Sequence, residues 1–319
     1  MKYVDEVIQD ARRIAILGHV KPDGDCVGSC LALYHYIQDN YPEVQVKVYL
    51  GEFAEDFLRV LPDAGEISHS LSDEAACDLC FSLDASDPER LGEYVRYLNG
   101  AKRTVCIDHH ITNEGFAQIN RIDPKAAATA ELLFLLMEFE KISKRTADCL
   151  YAGIVHDTGV FKHSNTTRRT MEAAGALLER GVRSNVIIND TFYHKSFVQN
   201  KILGKALMNA TLELSEGCIF SALYEREIKE AGGTNLDLEG IIDQLRVTDG
   251  VRCAVFIHET GENVYKVSLR GNSEMDVSRI AGRFGGGGHV KAAGCTIPGS
   301  QSEVKEKLLD AIAESWRKG

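Results

Sequence analysis

The sequence predicts an α/β fold, with a parallel-sheet N-terminal domain joined by a helical linker to a smaller α+β C-terminal domain. Three observations predict it. A chain of 319 residues, 44% hydrophobic and 26% charged, is globular in composition and long enough for about two domains at ~100–200 residues each. From Arg13 to about Ser164, short β-rich runs alternate with helical ones, the pattern of βαβ units around a parallel sheet. Beyond about residue 211 several strands are broken by one short helix and closed by an amphipathic helix, which reads as α+β.

In chain order, "IAILGHV", "VQVKVYL", "DLCFSLDAS" and "RTVCIDHH" are runs of apolar and β-branched residues of strand length. Between and after them, "VGSCLALYHYIQDN", with Gly28 and Ser29 opening it, "ATAELLFLLMEFE" and "RTADCLYAGIVHDTG" read as helices. A helix over 167–182 is closed by Gly181, since glycine tolerates the left-handed conformation that ends helices. "SFVQNKILGKALMNA" is a further helix within the linker. The strands "CIFSALY", "VRCAVFIHE", "NVYKVSLRG" and "AAGCTI", the helix near "DVSRIAGRF" and the terminal "SEVKEKLLDAIAESWRK" complete the chain. The expected boundaries are 1–183, a linker over 184–210, and 211–319. In open parallel sheets ligands sit beyond the carboxyl ends of the strands, so the chemistry is expected there.

Composition excludes several classes. No run approaches the ~18–20 uninterrupted apolar residues of a membrane helix, and "MKYVDEVIQDARR" is polar where a signal peptide is apolar; the expectation is a cytoplasmic protein without a membrane partner. Nine cysteines lie mostly inside apolar segments, as reduced thiols do in a reducing compartment. The pair Cys77 and Cys80 has no second pair at zinc-ribbon spacing and reads as structural. A net charge of −11 argues against a grip on long nucleic acid, which needs many cations on phosphates. A small anionic substrate is compatible with it, because bound divalent cations reverse the local field.

Four segments end in similar chemistry: His19, Asp23 and Asp25 after "IAIL", Asp84 in "SLDAS", Asp108, His109 and His110 in "CIDHH", and Asp157 in "GIVHDTG". Any one such aspartate is ordinarily a helix cap or turn residue. Together at one sheet edge they would repel and be hard to desolvate unless cations neutralise them. Oxygen donors with a minority of histidine and no thiolate favour manganese or magnesium over structural zinc, although affinity alone excludes neither zinc nor cobalt. Paired ions clamp the oxygens of a phosphoryl centre, so phosphoester hydrolysis is the expected reaction.

"HVKPDGDCVGS", "SLDAS", "CIDHH" and "HDTG" resemble, in order and spacing, the four motifs of the DHH phosphoesterase family, and "SLRGNSEMDVSRIAGRFGGGGHVKAAG" resembles its DHH-associated C-terminal domain. The resemblance implies that His19 and Asp23 bind one manganese ion, that Asp25, His109 and Asp157 bind a second, and that Asp84 bridges them. Magnesium or cobalt can replace manganese. Asp108 would orient neighbouring imidazoles and His110 would face the substrate phosphate. His156 stays open between a packed side chain and a site residue.

In the second domain, four consecutive glycines, Gly285 to Gly288, are either a hinge or a backbone cradle for an anion. The resemblance favours Arg270, Gly286, Gly287, Gly288 and His289 as substrate contacts, with Ser268 and Lys291 as weaker candidates. "HVKAAG" departs from the family's usual pattern by placing its basic residue two positions after the histidine. The chain is similar to the short two-domain members: bacterial oligoribonucleases of nanoRNA that also dephosphorylate 3′-phosphoadenosine 5′-phosphate. Its partners would be short oligoribonucleotides or a small nucleotide, and a homodimer is compatible with the sequence. A soluble phosphodiesterase for cyclic di-AMP or its linear product pApA is the alternative, and a non-catalytic nucleotide sensor a remoter one.

Overall fold

Strand β1 (Arg13–Leu17) shows why the first sheet is covered on both faces: Ile14 and Ile16 point into one apolar cluster, Ala15 and Leu17 into another. The computed structural model describes residues 2–71, 77–215, 217–272 and 275–318. With β2 (Gln45–Tyr49), β3 (Leu79–Leu83), β4 (Arg103–Asp108) and β5 (Ile119–Ile122), β1 builds a five-stranded sheet in the order β2-β1-β3-β4-β5, every pair parallel. Continuous apolar strands are what a doubly covered parallel sheet requires. The turn at α1 (Asp5–Ile8) precedes it.

The larger apolar layer is formed by α2 (Gly24–Asn40), α5 (Thr129–Leu136), α6 (Lys144–Asp157) and α7 (Arg168–Glu179), with α3 (Glu55–Val60) beside them. The smaller is formed by Leu91, Tyr94, Tyr97 and Leu98 around α4 (Val95–Gly100), where Tyr97 stacks on Tyr49 with ring centroids 4.2 Å apart. Cys77 and Cys80 lie in this layer, and all nine cysteines are buried free thiols. Helix α5 stops at Leu136, four residues short of the expected "MEFE" end, because Met137 turns extended and Phe139–Lys141 tighten into a 3₁₀ turn. Buried Glu131 of α5 is paired with Arg169 of α7 and accepts from Thr170 Oγ1 at 2.7 Å, fixing the two helices together.

The chain divides into two compact units, 1–194 and 195–319. The segment expected as a linker is shared between them: α8 (Ser184–Ile187) and the π turn Ile188–Phe192 lie in the first, while α9 (Phe197–Met208) buries Ile202 and Ala206 in the second.

In the second unit a six-stranded mixed sheet runs β10-β11-β9-β8-β7-β6, from β6 (Thr211–Glu213), β7 (Cys218–Leu223), β8 (Cys253–Gly261), β9 (Val264–Gly271), β10 (Gly287–His289) and β11 (Ala292–Pro298). Only β7 and β8 pair in parallel. Helices α12 (Val277–Gly282) and α13 (Gln301–Lys318) close one face over Val255, Val267 and Leu269; α9, α10 (Glu225–Glu230) and α11 (Ile241–Arg246) cover part of the other over Ala254 and Phe256. Among the described residues no helix is long and apolar enough to cross a membrane.

Candidate metal centre and substrate face

Each acidic motif of the first unit sits where an element begins or ends. Asp23 is the N-cap of α2, its Oδ1 accepting from Asp25 N and Cys26 N, both at 3.1 Å. With two orphan donors satisfied there, the helix opens at Gly24, four residues before the start expected at Gly28. Asp25 therefore lies within the first turn and is fully buried. Gly24 leaves room for His156: a Cβ would fall 2.1 Å from the His156 Cγ.

Asp84 follows β3 with φ 56°, a left-handed conformation rare for a side-chain-bearing residue, and its N–H is held by Ile107 O at 3.2 Å. Asp108 ends β4 and Asp157 ends α6. Behind Asp157, Gly159, Val160 and Phe161 are all left-handed, at φ 55°, 59° and 61°, a conformation that costs roughly 1–2 kcal/mol per side-chain-bearing residue. Hydrogen bonds from Val160 N to Val155 O at 2.8 Å and from Phe161 N to Thr158 Oγ1 at 3.0 Å hold the turn, with Phe161 packed on Tyr151.

These ends converge. The Oδ2 of Asp84 lies 3.6 Å from His19 Nε2, and its Oδ1 lies 3.5 Å from His109 Nε2 and 3.8 Å from His110 Nδ1. His109 Nε2 is also 3.1 Å from Asp157 Oδ2 and 4.0 Å from Asp25 Oδ2, while His19 Nε2 is 3.8 Å from Asp23 Oδ2. Donors within 4.8 Å of one another form three groups: Asp25, His109 and Asp157; Asp84, His109 and His110; and His19, Cys26 and Asp84. In the last, the Cys26 thiol lies beside the expected oxygen and imidazole donors, three residues after the N-cap Asp23.

Asp108 bonds to two neighbouring side chains. Its Oδ1 pairs with His110 Nδ1 at 2.7 Å and its Oδ2 accepts from Asn113 Nδ2 at 2.7 Å, so the His110 ring is fixed with Nε2 directed away from that pair. His156 is a packed side chain, between Phe57 and Phe192, with Nε2 2.8 Å from Thr191 Oγ1; burial pushes its imidazole down to about 4.

The electrostatics show what the cluster asks for. Burial pulls His19 and His109 down, but Asp23 and Asp84 beside the first, and Asp157, Asp25 and Asp84 beside the second, outweigh it and push them up to about 12 and about 10. Burial, with neighbouring carboxylates, raises Asp25 and Asp157 above the usual carboxylate range. Imidazoles pushed up beside buried carboxyls that are themselves raised mark a centre short of positive charge. Buried His19 Nδ1 has no hydrogen-bond partner among the described residues. A mixed oxygen and imidazole donor set of this kind fits divalent cations.

Three further residues hold the donors in place, of which Thr129 and Asn113 lie outside the four motifs. Ser29 Oγ donates to Asp25 Oδ1 at 3.1 Å, Thr129 N donates to Asp25 Oδ2 at 2.6 Å, and Thr129 Oγ1 donates to Asp84 Oδ1 at 3.1 Å. Asn113 is the third, tying Asp108 to Ala85 O at 3.0 Å. In one sequence Thr129 carries only the signal of a helix start and Asn113 that of a turn.

In the second unit, His289, Ala292 and Arg270 are register partners across β10, β11 and β9, as are Gly287, Gly294 and Ser268 one step along. Paired residues share a face of the sheet, so Arg270 and His289 flank a floor of very small side chains. Arg270 Nε lies 3.3 Å from Asp243 Oδ1. The glycine run is not one open cradle. Gly286 N–H already donates to Ala281 O at 3.0 Å and a Cβ there would lie 2.2 Å from Gly294 O, so Gly286 serves as a helix stop and close-packing point rather than an anion donor. Gly287 and Gly288 are in edge strand β10. Lys291 sits in the hairpin turn and donates to Met275 O at 3.2 Å.

A family model described as "DHH family, N-terminal domain" matches residues 13–154, and one described as "DHHA1 domain" matches 217–318. Over 319 aligned residues the chain is 30% identical to the bifunctional oligoribonuclease and PAP phosphatase NrnA of Thermus thermophilus, covering 98% of this chain and 94% of that one. The chain belongs to the DHH phosphoesterase family. A crystal structure of an exopolyphosphatase-related protein from Bacteroides fragilis, 27% identical, superposes on this DHH-family chain with a TM-score of 0.85, covering 97% of this chain and 94% of the other. A longer relative, the cyclic-di-AMP phosphodiesterase PdeA of Listeria monocytogenes, is 26% identical over 98% of this chain, which spans 49% of its length. DHH-family enzymes depend on metal, and the donor groups described above are where this chain could hold it.

Proposed function

We propose that this protein is a two-metal phosphoesterase that hydrolyses short oligoribonucleotides to mononucleotides and dephosphorylates 3′-phosphoadenosine 5′-phosphate to AMP in the cytoplasm. The observation that carries the reading is Asp84, whose two oxygens are turned to different histidines, Oδ2 to His19 and Oδ1 to His109, the disposition of a carboxylate shared by two cations. Near-complete coverage of a relative with that bifunctional name supports the substrate class.

In this reading His19, Asp23 and Asp84 hold one manganese ion, and Asp84, Asp25, His109 and Asp157 hold the other; magnesium or cobalt can take their place. When bound, the cations supply Lewis acidity to the phosphoryl centre and neutralise its charge. The protein's own contribution is positional. His110, fixed at Nδ1 by Asp108, presents its other nitrogen to the phosphate oxygen on which charge grows. Arg270, with its planar fork of donors, and His289 contact the nucleotide, and the small-residue floor at Gly287 and Gly294 admits it closely, with Gly288 between Gly287 and His289 in the same edge strand.

A second reading, hydrolysis of cyclic di-AMP or pApA, draws on the relative in Listeria monocytogenes. A panel of di- to pentaribonucleotides, 3′-phosphoadenosine 5′-phosphate, pApA and cyclic di-AMP, run with manganese, separates the two. Turnover of the first two classes is expected, and Asp84→Ala should reduce it by at least ~10²-fold. Preference for cyclic di-AMP would favour the second reading. Nucleotide binding with no turnover and no stoichiometric metal would instead make the protein a sensor.

A further inference from the structure

Helix α5 is eight residues long, and its first turn is aimed at the metal centre through a residue outside the four motifs. Thr129, its first residue, is fully buried. The backbone N–H groups of Thr129 and Ala130 donate to the two oxygens of Asp25, at 2.6 Å to Oδ2 and 3.0 Å to Oδ1. The Thr129 hydroxyl donates to Asp84 Oδ1 at 3.1 Å. One residue thus touches both carboxylates that the proposed centre needs most, the buried one and the shared one.

We infer that Thr129 is a positioning residue whose hydroxyl sets the rotation of the Asp84 carboxylate, and with it the ability of that carboxylate to serve two cations at once. The argument is geometric. A carboxylate at a left-handed strand end can turn about its last torsion, and that torsion is broad. Sharing requires that Oδ2 stay with His19 and Oδ1 with His109. The hydroxyl bond is made to Oδ1, the oxygen 3.5 Å from His109 Nε2, so it pins the side on which one lone pair must remain free for a cation. The backbone bonds to Asp25 hold that carboxylate independently of the Thr129 side chain. Removing the hydroxyl alone therefore releases Asp84 and leaves Asp25 in place.

This rests on the two-cation reading above, and the test separates the two. Wild-type protein, Thr129→Val, which keeps the shape and loses the hydroxyl, and Thr129→Ser, which keeps the hydroxyl, are stripped of metal. Manganese is then titrated by calorimetry, and the loaded forms are examined by electron paramagnetic resonance. Two ions per wild-type chain with an exchange-coupled spectrum are expected. Thr129→Val should bind one of them ~10–100-fold more weakly, the usual effect of losing a partner of a metal ligand, and show the spectrum of isolated manganese. Thr129→Ser should restore coupling and affinity. If Thr129→Val does not fold, Thr129→Ala against Thr129→Ser makes the same comparison. A coupled pair of wild-type affinity in Thr129→Val, or an equal loss in Thr129→Ser, would overturn the inference while sparing the centre. A wild-type chain that binds fewer than two ions would overturn both.

Discussion

Replacing Gly28 by alanine tests whether the approach of α2 to α6 holds the metal centre together. A Cβ at Gly28 would lie 2.6 Å from Cys149 O and 2.9 Å from Gly153 N, against the 3.4 Å at which ordinary contact begins. Both obstacles are backbone, so neither can rotate aside. Within a helix, glycine to alanine alone is worth about 1 kcal/mol in favour of the folded state. Overpacking a tight contact removes ~1–3 kcal/mol, and contact with backbone belongs at the upper end. The expected net effect is a loss of roughly 1–2 kcal/mol in urea unfolding. Because α2 carries Asp23 and Asp25 and α6 carries Asp157, parting the helices also spreads the donors, and a displacement of ~1 Å can lower turnover ~10²-fold. Gly175 in α7 is the control: nothing lies within 4 Å of its Cβ position, so Gly175→Ala should stabilise by up to about 1 kcal/mol and leave activity alone. Gly28→Ala with wild-type stability and turnover would refute this reasoning.

Other outcomes follow from the same structure. Arg270→Ala should raise the KM for 3′-phosphoadenosine 5′-phosphate ~10–100-fold, the range of one charge-assisted contact, with kcat and metal content nearly unchanged; a kcat loss alone would contradict it. Since His19 and His109 are pushed up to about 12 and about 10 by their carboxylates, cations must displace protons to bind, and affinity must fall as pH falls. Calorimetry in buffers of different ionisation heat should find net proton release near neutral pH, and zero release would be inconsistent. Burial pushes Asp5 up, but hydrogen bonds from Lys141, Tyr41 and Tyr36 outweigh it and hold the carboxyl below its ordinary 3.8. A depressed carboxyl stabilises the fold above its unfolded value and ceases to do so as pH falls through its folded one. The urea midpoint of wild type should therefore exceed that of Asp5→Asn by a constant amount near neutral pH, with the gap closing below pH 3.8.

The first sheet was legible because β1, β3 and β4 are apolar on both faces and end in polar residues at one edge, which a single sequence displays directly. Strand β5 was not: Ile119–Ile122 is half-buried throughout and carries neither alternation nor an apolar run. The start of α2 was misplaced because capping by Asp23 depends on geometry, and aspartate followed by glycine reads equally well as a turn. Motif residues of the site were visible since they are neighbours in sequence. Thr129 was invisible because its bonds to Asp25 and Asp84 span 104 and 45 residues. The glycine run could be read as hinge or cradle, and only the backbone bonding reveals that Gly286 N–H turns back onto Ala281 O while Gly287 and Gly288 join a sheet edge.

In the proposed reading, His19, Asp23, Asp25, Asp84, His109 and Asp157 together hold two cations. Anomalous diffraction from crystals of the manganese-loaded protein tests it most directly. Two peaks ~3.5–4 Å apart with Asp84 between them are predicted. A single peak, or density away from these six side chains, would contradict the account.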